Sequence, residues 1–365
     1  MQLCKYGVDF TMPFIDQLCE RHTMQPSVLV LGARGRFGLA AALAFRKAGW
    51  RVFGQTRPGA TTPMAAAHSG IEWRGVDLQD APALARASQG ATVVVHALNP
   101  SAYTFKAWRA EVAPMTAAAI ALARALDATL MVPGNVYNFG AGMPPLLREG
   151  TPQRAQTVKG QIRIAMEAQL RDSGVQAVVI RAGDFFGSGT HSWLDIFIAK
   201  HVKTGRVTYP GHLDVLTAWA YLPDLARCFV AVAERRAQLP RFERLHFAGY
   251  SLTGQHWLDA LNPIARQQGW VKPDGKLQFK RAPWGIIRLA SPFVPTWASL
   301  MEMRYLWDTP HALVNDRLTA LIGVEPHTPF DLAVRQSLMG LGILPTPAVG
   351  APSQTAASAA STRHA

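Results

Sequence analysis

The chain is poor in cysteine. Only Cys4, Cys19 and Cys228 occur in 365 residues. Their spacing fits no metal site, and an odd count gives no disulfide framework. A reduced, cytoplasmic setting is therefore expected. Long apolar runs are missing too. None reaches the ~18 residues that crossing a bilayer requires, so no membrane span is expected. The first residues carry one early lysine, no apolar stretch, and acids at Asp16 and Glu20; no signal peptide is expected. Blocks of like charge are also absent. The 37 basic residues outnumber 24 acids and give a net charge of +13, yet they are dispersed, with no run of five. That argues against a nucleic-acid stripe and reads first as compositional bias, with part of the excess available to an anionic cofactor or substrate.

What is present is a long chain with ordinary apolar content. At this length one large or two fused domains are expected. From Ser27 onward, strand-like and helix-like segments alternate. Short β-branched runs mark strands at 28–31, 51–54, 71–73, 92–96, 129–132 and 177–181. Helical patterns fill 37–48, 81–88, 109–126 and 158–172. This alternation predicts an α/β, doubly wound parallel sheet, a Rossmann fold, because right-handed crossovers place helices on both faces. After about Gly187 the alternation loosens, and proline and aromatic residues become frequent. The expected organisation is an extension over 1–26, a dinucleotide-binding domain over 27–187, and a smaller substrate lobe over 188–343 with interleaved elements. A tail over 344–365, rich in Pro, Ala, Ser and Thr, is expected to be disordered. Met24 stands just before the first strand, so residues 1–24 are expected to add nothing to the fold.

The most informative stretch is Val28-Leu29-Val30-Leu31-Gly32-Ala33-Arg34-Gly35-Arg36-Phe37-Gly38. A buried strand runs into glycines spaced Gly-x-x-Gly-x-x-Gly and then into an alanine-rich helix, with Gly49 as its C-cap. Glycine lets the turn bend tightly and approach a pyrophosphate, and the last glycine lets helix and strand pack. The helix N-terminus offers free N–H groups to phosphate. A second strand ends some 20 residues on. An acid there would bind the adenosine ribose, but Gln55, Thr56 and Arg57 follow instead. Arg34 and Arg57 suit a 2′-phosphate, because guanidinium binds phosphate bidentately. The expected cofactor is NADP, with NAD as the alternative. The cofactor-binding set is Gly32, Arg34, Gly35, Arg36, Phe37, Gly38, Arg57, Asp77, Leu78, Ala97, Leu98, Asn99 and Pro133. His96, at a strand end, reads first as a packed core residue, as strand-end histidines usually do.

Taken together these motifs resemble the extended short-chain dehydrogenase/reductase family of NAD-dependent epimerase/dehydratase type, over roughly residues 27–342. The later landmarks are Val132-Pro133-Gly134-Asn135-Val136-Tyr137, Ile180-Arg181-Ala182-Gly183-Asp184-Phe185-Phe186-Gly187, and Tyr221-Leu222-Pro223-Asp224-Leu225-Ala226, with Asp224 expected as a helix N-cap. The resemblance implies Ser, Tyr and Lys as the reacting groups, the last two as Tyr-x-x-x-Lys on one helix. Here Lys159 stands for the tyrosine and Arg163 for the lysine, and Glu167 matches a downstream glutamate. The serine position falls on Pro133, with Asn135 two residues later. Lys159, Arg163 and Asn135 are thus the candidate catalytic residues, Lys159 as a proton donor facing the nicotinamide. Tyr137 reads as structural; Tyr103 and Trp108 either line a substrate cavity or simply pack.

The expected activity is that of an atypical oxidoreductase on a small carbonyl or alcohol substrate. A nucleotide-sugar epimerase or dehydratase is the first alternative, and a non-catalytic NADP(H) redox sensor the second. The expected partner is a small-molecule substrate, with no nucleic acid; a homodimer is the assembly considered.

Overall fold

A computed structural model describes residues 25–61 and 69–346. The segment 1–24 and most of the expected tail lie outside the described residues. Leu344, the first residue assigned to that tail, is instead buried, and its N–H donates to Leu338 O at 3.1 Å.

The elements run β1 (Ser27–Leu31), α1 (Arg36–Lys47), β2 (Arg51–Thr56), β3 (Glu72–Gly75), α2 (Ala81–Ala87), β4 (Val93–His96), α3 (Phe105–Ala125), β5 (Thr129–Gly134), β6 (Leu146–Leu147), α4 (Val158–Asp172), β7 (Ala177–Arg181) and β8 (Asp184–Phe186). They continue through β9 (Arg206–Tyr209), β10 (Thr217–Tyr221), α5 (Leu222–Glu234), β11 (Phe242–His246), β12 (Tyr250–Leu252), α6 (Gly254–Gln267), β13 (Gln278–Arg281), α7 (Trp284–Ala290), α8 (Pro295–Glu302), α9 (Tyr305–Asp308), β14 (Ala312–Leu313), α10 (Asp316–Ile322) and α11 (Phe330–Gly340).

Seven parallel strands form the central sheet in the order β11-β7-β5-β4-β1-β2-β3. The strand order reverses at β1 and β4, and a crevice opens there beyond the strands' C-terminal ends. Every residue of β1 and β7 is buried, as apolar runs covered on both faces should be. The outer strand β11 comes from beyond residue 188, and α5 packs on α1 through Phe229 against Phe37 at 4.7 Å. The chain therefore returns to the first domain after building part of the lobe.

Local chemistry sets the helix starts. Asp80, Thr104 and Thr157 cap α2, α3 and α4, each accepting a backbone N–H three residues on. The Thr104 cap starts α3 four residues earlier than its periodicity suggests. Asp224 is not the cap of α5. Pro223 is accommodated in the first turn and Tyr221 takes the cap position. The Asp224 carboxylate, buried in that turn, accepts from Thr328 N and Oγ1 at 2.6 and 2.7 Å, tying the helix to the C-terminal segment.

The lobe gathers the sheet β12-β10-β8, the pair β9–β13, and helices α6, α7, α8 and α11. Its core is aromatic: Phe186 meets Trp257 at 5.2 Å, and Trp219 meets Trp257 at 4.9 Å.

Candidate active site

The site is one cavity of about 1560 Å³ between the sheet's C-terminal edge and the lobe. Its inner half is built from the glycine turn. Gly32 has φ +70°, and a Cβ there would lie 3.2 Å from Ala97 O. At Gly38 a Cβ would sit 2.2 Å from Gly32 O, so only glycine lets α1 close on the turn. The N-cap Gly35 has no side chain, and the first turn of α1 holds no acid. The helix end thus faces the cavity with N–H groups no side chain caps.

The ends of β2 and β4 complete this half. Gln55, at the end of β2 where a ribose-binding acid is absent, is spent on the fold. Its Oε1 accepts from Gly32 N at 3.1 Å, and its Nε2 donates to Thr56 O and Val76 O. Arg34 and Arg57 both line the cavity and are exposed, and neither guanidinium makes an ion pair or hydrogen bond among the described residues, although the charge of Arg57 reaches Glu111. Arg36 is different: its guanidinium donates to the carbonyls of Ser188, Phe185 and His191. It clamps the loop after β8 over α1. Phe37, Asp77, Leu78, Ala97, Leu98, Asn99 and Pro133 also line the cavity; Gly38 lies behind it.

Deeper in, side chains from five separate segments converge. Asn135, just after β5, accepts from Tyr137 N through Oδ1 at 3.1 Å, and its amide nitrogen has no hydrogen-bond partner among the described residues. Tyr137, Tyr103 and Trp108 form a wall, with Tyr103 and Trp108 edge-to-face at 6.0 Å. Burial pushes the Tyr137 phenol up to about 12 and Tyr103 well above its usual range, so both stay neutral hydroxyls. Arg163, on α4, points into this space. Its carbon Cζ lies 5.2 Å from the Trp108 ring, and no carboxylate pairs with it. Burial lowers its pKa, although a guanidinium remains charged at neutral pH.

Lys159 does not face this space. Its side chain is fully buried on the far side of the aromatic wall, its Nζ 4.5 Å from the Tyr103 ring, 4.6 Å from Phe105 and 5.7 Å from Trp108. It donates to Ser299 O at 3.1 Å and pairs with Glu302 at 3.3 Å. Burial lowers its pKa to about 8. The α4 N-terminus is instead tethered to α8, with Val158 N also donating to Glu302. Glu167 does not pair with Arg163. It forms a buried bidentate pair with Arg181 on β7, at 2.9 and 2.5 Å, and accepts from Asn138. That pair fixes α4 against the sheet.

Asp184 is the cavity group that sequence reasoning missed. It opens β8, lines the cavity and has no ion pair among the described residues. Burial raises its pKa to about 7, moderated by the indoles of Trp307 and Trp193 and the more distant charge of Arg36. Trp307 Nε1 itself has no partner at hydrogen-bond distance. The only available signal was an acid inside an otherwise apolar run. His96 also lines the cavity, but burial drops it to about 3 and its Nδ1 has no partner. It is a neutral imidazole in the floor, in line with its expected packing role.

Among the described residues no cluster of His, Cys, Asp or Glu could hold a metal ion, and no helix is long and apolar enough to cross a membrane.

Solved structures share the whole fold at low identity. The UDP-Glc/GlcNAc 4-epimerase of Campylobacter jejuni is 13% identical, with TM-score 0.66 over 88% of this chain and 100% of that one. The UDP-glucose-4-epimerase of Stenotrophomonas maltophila, solved with bound NAD and formylated UDP-arabinopyranose, is 16% identical, with TM-score 0.66 over 87% and 98%. The UDP-glucose 4-epimerase of Bifidobacterium longum, in complex with NAD+ and UDP, is 14% identical, with TM-score 0.65 over 87% and 99%. No curated protein matches the sequence. The profile of the NAD dependent epimerase/dehydratase family matches residues 28–246, which contain the glycine turn, all seven sheet strands and α4. The chain belongs to that family.

Proposed function

We propose that the protein is an NADP(H)-dependent oxidoreductase acting on a carbonyl or alcohol substrate. The observation that carries this reading is the continuity of one cavity. It joins a glycine cradle that admits no Cβ, and two unpaired arginines, to a pocket holding Arg163, Asn135 and Asp184. The cradle and the uncapped α1 N-terminus would hold the pyrophosphate, Arg34 and Arg57 the 2′-phosphate, and Asp77 with Leu78 the adenine end. When bound, the nicotinamide supplies a hydride donor or acceptor.

The protein's own residues divide the remaining work. Arg163 and the unpartnered amide nitrogen of Asn135 can bind a substrate oxygen as negative charge grows on it. The Asp184 carboxyl, with its pKa near 7, can hold or release a proton at neutral pH. Tyr137 and Tyr103 present neutral hydroxyls that orient the substrate, and Trp108 excludes water.

Calorimetric titration with NADPH and NADH, followed by NADPH oxidation across aldehydes, ketones and quinones, tests the reading. Tighter NADPH binding with turnover is expected. Equal affinity for the two cofactors removes the NADP assignment. Tight binding with no turnover on any substrate makes the protein a cofactor sensor.

A second reading, a nucleotide-sugar epimerase, is favoured by the basic outer wall of the cavity, where Lys200, Arg206, Lys280 and Arg281 could face a diphosphate. Interconversion of UDP-glucose and UDP-galactose in the presence of either oxidised cofactor would establish it.

A further inference from the structure

We propose that the mouth of the cavity is a docking face for an anionic membrane surface. The sequence between Asp274 and Glu302 holds no acid but four cations, Lys276, Lys280, Arg281 and Arg288. Helix α7 lies within it. One side of α7 is spent on the core: Trp284 and Ile287 are buried, and Trp284 stacks with Trp307 at 5.7 Å. The other side carries Ile286 and Leu289, and Phe293 follows in the turn after the helix, its N–H donating to Ala290 O. These side chains are 64%, 80% and 86% exposed. Three large apolar side chains exposed within residues 286–293 are costly to leave in water, and exposed apolar surface of this kind marks an interaction site.

The surface is tied to the opening. Ile286 lines the cavity together with Lys280, Arg281 and Lys200. Ile196, 41% exposed, lines it as well. An apolar ridge, a basic rim and the entrance therefore share one face. A bilayer with acidic headgroups meets both features at once, because apolar side chains enter the headgroup–acyl boundary while cations hold the phosphates. Charge argues against a second copy of the chain as the occupant, since two such faces would oppose basic rim to basic rim. Docked this way, the cavity would open onto the membrane and admit an amphiphilic substrate from it. The proposal is independent of the chemistry assigned above, because vesicle binding needs neither cofactor nor turnover.

The test is co-sedimentation of the full chain with vesicles of phosphatidylcholine alone and of an equal mixture with phosphatidylserine. Binding to the mixed vesicles, weakening with salt and weak on phosphatidylcholine alone, is expected. Leu289→Ser with Phe293→Ser should lower the partition on the order of a hundredfold. Arg288→Glu should lower it on the order of tenfold. None of these three residues lines the cavity, so cofactor binding and melting temperature serve as folding controls. Absence of binding to either vesicle overturns the proposal, as does binding that survives Leu289→Ser with Phe293→Ser. A wild-type dimer in light scattering that the same double variant converts to monomer assigns the face to self-association and also overturns it.

Discussion

The two halves of the cavity are built in different ways. The cofactor half comes mainly from one continuous stretch, residues 28–38, with short contributions from the ends of β2 and β4. The features proposed to hold the cofactor lie in the backbone: uncapped N–H groups, a positive φ at Gly32, and a close approach at Gly38. The reacting half is assembled from side chains at the end of β4, on α3 and the loop before it, at the end of β5, on α4 and on β8, with Trp193 beside them. Backbone geometry needs particular residues at fixed spacing, so it leaves a motif. Convergence of distant side chains leaves none. Substitution should therefore separate the halves, with cofactor affinity responding on one side and turnover on the other.

The largest separation should come from Asp184→Asn. Under the proposed function, turnover falls about 10²- to 10⁴-fold while NADPH affinity holds. The pH profile supplies the sharper test. A carboxyl raised to about 7 gives wild type a limb near neutral pH that the variant lacks. Stability moves the other way. The folded state holds this proton more tightly than the unfolded chain, so the contribution is fully present in acid and is lost as pH rises towards 7. At pH values above that, Asp184→Asn should be the more stable protein, as measured by urea unfolding. A retained neutral limb would remove Asp184 from the chemistry.

Next is Arg181→Met, which should lower stability by about 3–5 kcal/mol, because it strands the buried Glu167 carboxylate. The urea midpoint reads this directly. A fall of that size shows that α4 is held by the ion pair and not by its apolar contacts alone.

Arg34→Ala and Arg57→Ala probe the cofactor half. Charge-assisted bonds to phosphate are worth about 1.5–3 kcal/mol. Calorimetry should show NADPH affinity falling roughly ten- to a hundredfold and NADH affinity nearly unchanged. Equal losses for both cofactors would place the two arginines elsewhere than at the 2′-phosphate.

The smallest effect is expected at Lys159. Its ammonium sits behind the aromatic wall, so Lys159→Met should leave NADPH affinity and turnover close to wild type. Its signature is in stability. With a folded pKa near 8, below the ordinary 10.5, the folded state gives up this proton first, and wild-type stability rises with pH between those values. Lys159→Met should lack that rise in unfolding midpoints taken across the same window. Loss of turnover in this variant would instead return the lysine to the reacting half.

Much of the first domain is legible in the sequence. All six strands read from the sequence are present within two residues of their expected ends, because buried parallel strands are short, continuous and apolar; the partly exposed edge strand β3 is the exception. The glycine spacing located the tight turn between β1 and α1. The use of Gln55 was not legible, since an amide can serve a ribose or a backbone equally well. Nor was the start of α5, where Pro223 moved the helix ahead of Asp224.

The lysine and arginine of α4 mark the boundary most clearly. Their four-residue spacing, read from the sequence, put them on one stripe of one helix. A stripe still spans tens of degrees, and long side chains can leave it in either direction. Packing made the choice: Glu302 and three aromatic rings drew Lys159 into the lobe, while Arg163, with no carboxylate in reach, stayed in the cavity. The sequence by itself determined the sheet, the cradle and the helix carrying these residues, because those depend on local periodicity and backbone geometry. Which charged groups face the cavity, Asp184 among them, was decided only by the tertiary structure, because burial and long-range pairing set where a charge can be accommodated.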